Sequence, residues 1–111
     1  MPKPPKIVQN NAKKGLELRR NAPDSKKGGT SVGVARARDL ANRKDISIDT
    51  LKRMAQFRRH QKNYRPEIKV EGIDGKKTAT KGTQAVLLWG GMQGINWADR
   101  ELEKYKNKKK K

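Results

Sequence analysis

The apolar residues of this chain are few, and they gather where the charge is lowest. Over 111 residues, hydrophobic side chains make up 32% and aromatics 5%, less than an ordinary globular domain holds. Residues 1–65 carry 18 Lys+Arg against 5 Asp+Glu, and residues 66–103 carry 5 against 6. Residues 104–111 add 6 Lys and no acid. The near-neutral stretch holds both tryptophans and the run AVLLW, Ala85–Trp89. This distribution predicts one small core weighted toward the C-terminal half, surrounded by basic elements.

The formal net charge is +18. A compact domain of this size repels itself at such a charge, and a polyanionic neighbour relieves the repulsion. Nucleic acid is the first candidate and an anionic membrane surface the second. There are no cysteines, which excludes disulfides, thiolate chemistry and zinc fingers. No apolar run approaches the roughly 18 residues of a membrane span. The opening MPKPPKIVQNN lacks an apolar signal core, so an intracellular protein is expected.

Punctuation along the chain divides it into elements. MPKPPK, with three prolines, predicts an extended and disordered arm over residues 1–10. Asn11–Arg20 suits a first helix anchored by Leu16 and weakened by Gly15. NAPDSKKGG reads as a loop kept solvated by Lys26 and Lys27. A helix over 31–42, capped by Thr30 or Ser31, would turn Gly33, Val34, Ala37, Leu40 and Ala41 to one side. The next helix, capped by Ser47, should run to about His60–Lys62. It would bury Ile48, Leu51, Met54 and Ala55 and expose Asp49, Lys52, Arg53 and Gln56. Asp74–Gly75 signals a type I′ turn in a short hairpin. Thr83–Trp89 reads as an apolar helix stopped by Gly90–Gly91. Ile95, Ala98, Leu102 and Tyr105 recur at helical spacing in a last helix, followed by a disordered Lys-rich tail over 106–111.

The stretch LANRKDISIDTLKRM, Leu40–Met54, has the spacing of a helix-turn-helix. Leu40 and Ala41 would pack the first helix on the second, Ile46 would plug the turn, and Ser47 would cap the second helix. The free face of that helix is then a recognition helix for a DNA groove. Such turns usually carry glycine at the position of Asp45, because φ is often positive there. Lys52, Arg53 and Gln56 would face the major groove. Arg36, Arg38, Arg43, Lys44, Arg58 and Arg59 would meet phosphates, and Ser47 at the helix start could approach one.

Four pieces together resemble a small uncharacterised module that recurs in proteins of tailed bacteriophages. They are GGTSVGVARARDLAN (Gly28–Asn42), ISIDTLKRM (Ile46–Met54), Arg59–His60 and LLWGGMQGINWA (Leu87–Ala98). The family's Gly/Pro/Tyr-rich link before LLWGG is replaced here by KNYRPEIKVEGIDGKKTATKG. The resemblance implies a phage origin, in the host cytoplasm or the virion, near DNA-handling or head-assembly proteins.

Other residues are read more plainly. His60 is the only histidine and is expected as an exposed helix residue. Trp89 and Trp97 are expected in the core rather than as stacking platforms. Gly90, Gly91 and Gly94 lack the Lys-Ser/Thr of a phosphate loop and read as turns. No nucleophile–base pair, carboxylate dyad or metal constellation stands out, so neither enzymatic activity nor a cofactor is expected. The fold expected is mainly α, one domain over 11–105. It has a helix-turn-helix-like core at about 31–62, a short wing-like β-hairpin and a C-terminal helical pair. The function expected is binding of double-stranded DNA, with RNA as a further polyanion. The alternatives are a virion structural or assembly protein on capsid or portal partners, and an inhibitor of a host protein.

Overall fold

The computed structural model describes residues 2–109, with side chains through Lys106. Five helices form the frame: α1 (Lys6–Asn21), α2 (Ser31–Ala41), α3 (Ile48–Gln56), α4 (Lys81–Leu88) and α5 (Gly91–Lys109). A 3-10 segment, Phe57–Asn63, extends α3. Strands β1 (Lys69–Glu71) and β2 (Lys77–Ala79) pair antiparallel, with Val70 opposite Thr78. The fold is mainly helical, with one small hairpin and a C-terminal helical pair, as the periodicity predicts.

Helix α1 is the centre of the molecule. It packs on α2, α4, α5 and β2, while α3 packs mainly on α5. The expected arm over residues 1–10 is therefore corrected. The helix begins at Lys6 and Val8 is fully buried in the core. Prolines suggested an arm, yet Pro5 sits at the N-cap, where a missing N–H costs nothing and a fixed φ suits the helix start. Pro4 is buried as well. The Lys-rich tail expected over 106–111 lies largely outside the described side chains, and the helix backbone runs on to Lys109.

Gly15 weakens α1 as a helix but permits its closest approach to a neighbour. A Cβ there would meet the Leu88 amide nitrogen at 2.7 Å and the Leu87 carbonyl carbon at 2.8 Å. Backbone faces backbone, so α1 and α4 touch without side chains between them. Around this point one core gathers Val8, Ala12, Ala37, Leu40, Ile46, Leu51, Met54, Leu88, Trp89, Trp97 and Ala98. Trp89 and Trp97 retain only 7% and 5% of their exposure, so both are core residues as expected.

Polar side chains close the helix ends inside this frame. Lys27, expected as a solvated loop residue, instead donates to the carbonyls of Arg19 at 2.7 Å and Ala22 at 2.6 Å. A cation there satisfies orphan carbonyls and suits the negative end of α1. Asn11 donates to Gly90 O at 2.8 Å, and Gln9 to Ala41 O at 2.8 Å. Gln84 is fully buried and fully bonded. Its Oε1 accepts from Gly28 N at 2.8 Å, and its Nε2 donates to Ala79 O at 2.8 Å and Lys26 O at 3.1 Å. One side chain thus joins α4, the loop before α2 and the end of β2.

The hairpin turn follows its sequence signal. Asp74 and Gly75 both adopt positive φ, 55° and 76°. The hairpin packs on α1, where Thr78 Oγ1 donates to Leu18 O and Asn21 Nδ2 to Lys77 O. It is not a wing beside α3.

Two variants test this frame. Gly15→Ala gains about 1 kcal/mol of helix propensity. The added methyl forces two backbones apart, at a cost exceeding that gain, and the net loss should be about 2 kcal/mol in denaturant unfolding. A Gly15→Ala protein as stable as the parent would contradict the close approach. Gln84→Leu should lose about 3 kcal/mol, because it strands a buried N–H and a buried carbonyl.

Candidate nucleic-acid interface

Helix α3 is held by its buried side and presents the other. Ser47 Oγ accepts from Thr50 N at 3.2 Å, so the expected cap is present. Thr50, Leu51 and Met54 are buried, and Ile48 packs against the core. Asp49, Lys52, Arg53 and Gln56 are exposed. The helix ends earlier than expected, at Gln56, and its last residues tighten into the 3-10 segment.

The connection between α2 and α3 differs from a short helix-turn-helix turn. It runs from Asn42 to Ser47, and the residue with positive φ is Arg43 (50°), not Asp45. Lys44 N donates to Asp39 O at 3.0 Å and Arg43 N to Leu40 O at 3.1 Å. This pair of bonds is a Schellman ending, with arginine in the position that glycine usually takes. The left-handed backbone costs roughly 1 kcal/mol in a non-glycine residue. Its side chain offsets that cost, since Arg43 Nε donates to Pro4 O at 3.0 Å. Ile46 N donates to Pro2 O at 2.9 Å, and Lys3 lies 3.3 Å from Asp45. The N-terminal segment therefore clamps the connection. Helices α2 and α3 rest chiefly on α1 and α5 respectively, rather than on each other.

The residues expected at the major groove and at phosphates fall into separate groups. Arg36 and Arg53 line one cleft between the starts of α2 and α3, together with Ser31, Val32, Ser47 and Asp49. Arg36 Nε lies 3.4 Å from Asp39 Oδ2 without a hydrogen-bond geometry, and Lys44 Nζ is 3.9 Å from the other oxygen. The side chains of Arg38, Lys52, Arg53 and Gln56 form no hydrogen bond or ion pair among the described residues. Arg43 is turned to Pro4, and Arg58 is tied to Asn96 (2.8 Å) and Asp99 of α5. Those two arginines brace the fold rather than stand free. Arg59 Nε approaches His60 Nε2 at 3.4 Å. His60 is half-buried and its ring lies 4.7 Å from Phe57, so the expected exposed histidine is corrected.

A second basic concavity lies beyond what the helical spacing predicts. Arg58, Arg59, Gln61, Lys62, Tyr64 and Arg65 surround an open depression along the 3-10 segment. The density of cations around one tyrosine in RRHQKNYR is its only sequence signal. Among the described residues, no cluster of three or more His, Cys, Asp or Glu could hold a metal ion. No described helix is long and apolar enough to cross a membrane.

No family model, curated protein or solved structure matches this chain.

Because like charges crowd a small frame, screening should stabilise it. The melting temperature is expected to rise as sodium chloride is raised through the physiological range, where the screening length falls to about 8 Å. A melting temperature that falls over the same range would show that attractive ion pairs outweigh the repulsion.

Proposed function

We propose that this protein binds double-stranded DNA, with α3 as the element that enters the groove. The observation that carries this reading is the division of α3. Its buried side is fixed in the core, while Lys52, Arg53 and Gln56 stand exposed and unpaired on the other. Lysine and arginine neutralise phosphates, and arginine and glutamine also make paired bonds to base edges. Arg36 and Ser47 beside the cleft, and Arg38 on α2, extend the basic rim. The resemblance of the sequence to a tailed-bacteriophage module fits this reading and the assembly reading alike, since such modules accompany DNA-handling and head-assembly proteins.

A second reading has one observation in its favour. Val32 is 46% exposed within the same cleft that holds Arg53, and an apolar side chain among cations also suits a protein partner. In that reading the chain is a virion assembly component whose basic surface faces the genome or an acidic partner. Mass spectrometry of purified virions separates the two, since an assembly component is present there in many copies.

The DNA reading is tested by duplex titration across a salt series with the double variant Arg53→Ala, Gln56→Ala. Affinity should fall. The slope of log K against log salt should shrink by at most about 0.9, because one cation is removed from the groove. Both positions are exposed, so the variant should melt with the parent. Unchanged affinity with an unchanged slope would remove α3 from the interface.

A further inference from the structure

We infer that a second surface, separate from the α2–α3 cleft, binds single-stranded nucleic acid with Tyr64 as a base-stacking platform. Three concavities adjoin one another through shared lining residues. The first is the depression along the 3-10 segment, where Arg59, Lys62 and Arg65 surround Tyr64 and Arg58, held by Asp99, forms part of the wall. Arg65 also lies 4.0 Å from Glu67. Tyr64 also lines the second, which lies between α1, the hairpin and α4. There Leu18, Pro66 and Ile68 are flanked by Lys14, Lys69 and Lys77. Leu18 and Lys77 continue into the third, where Arg20 and Lys76 join them and Glu17 is the single acid. None of these residues lines the α2–α3 cleft.

The chemistry of these concavities selects their ligand. Cations along both sides answer to a repeating phosphate backbone. A half-buried aromatic ring between them, continued by exposed apolar surface, answers to flat apolar faces carried by that same backbone. Ile68 is 46% exposed beside it. Base faces are hidden in a duplex and free in a single strand, and stacking on an aromatic ring requires the free form. An anionic bilayer would need a projecting apolar surface, whereas these residues line hollows.

The platform is also fixed in place. Tyr64 N donates to Gln61 O at 3.0 Å, and Arg65 N donates to Thr83 Oγ1 at 2.7 Å. Thr83 is buried in α4 and only 1% exposed. The backbone around Tyr64 is thus bonded to the core before any ligand arrives, and its hydroxyl makes no hydrogen bond among the described residues. Little ordering remains to be done on binding.

The test uses the full chain and fluorescence anisotropy with labelled oligo-dT, oligo-U and a duplex of equal length. Tyr64→Ala should weaken single-strand binding about five-fold or more and spare the duplex, whereas Tyr64→Phe should keep single-strand affinity because the ring remains. Lys69→Ala with Lys77→Ala should lower the single-strand salt slope by about 1.4. The Arg53→Ala, Gln56→Ala protein should retain single-strand binding, so failure of the duplex reading and failure of this one remain separable. Wild-type protein crosslinked to an oligonucleotide carrying thiouridine should be labelled in the tryptic peptide NYRPEIK, Asn63–Lys69. Single-strand affinity unchanged by Tyr64→Ala, Tyr64→Phe as weak as Tyr64→Ala, or label confined to α3 would each overturn the assignment. The crosslink needs no variant and decides the matter if Tyr64→Ala does not fold.

Discussion

Everything in this structure depends on α1 and α4 approaching closely enough for their backbones to meet. Gly15 makes that approach available, and the flanking Val8 and Ala12 fill the space beside it. With so few apolar residues, a core of ordinary spacing would leave gaps between helices, and gaps forfeit dispersion attraction. Small residues solve this by bringing helices together instead of filling the distance with bulk. Ala37 and Gly33 do the same for α2, where Gly33 lies against Trp89.

The same economy explains the polar interior. Helices drawn this close leave little room for water at their ends. The carbonyls there are instead met by Gln9, Asn11 and Lys27, and Gln84 performs the equivalent task for the loop before α2. The bonds of Gln9, Asn11 and Gln84 join segments 32, 79 and 56 positions apart, so they select one arrangement of helices as well as satisfying buried groups. The surface then carries most of the charge, with Ile7, Val32, Ile68 and Ile73 as exposed apolar exceptions.

Much of this was legible in the sequence and some of it was not. Helical spacing located α2 and α3 and their buried residues, because apolar side chains recurring on one side leave a periodic trace. The Ser47 cap and the Asp74–Gly75 turn were readable because their chemistry is local. Four features were hidden for a common reason. Lys27 as a cap, Gln84 as a junction, Arg43 as the left-handed residue and Tyr64 as part of a groove all depend on partners outside their own segment. A proline-rich start resembles an arm until Val8 is seen in the core. At the interface, local spacing identified the exposed side of α3, but could not reveal that Arg43 and Arg58 are committed to Pro4 and α5. A cation bound to the fold and a cation free for phosphate look alike in sequence.

The long-range ties of α1 have a consequence for how the chain acquires its shape. Asn11 bonds to Gly90 and Gln93, 79 and 82 positions onward, and Leu18 O accepts from Thr78, 60 positions onward. During synthesis the central helix has no partner for its main packing face until α4 has left the ribosome. A helical protein assembled from such distant pairings folds more slowly than one built from neighbouring helices.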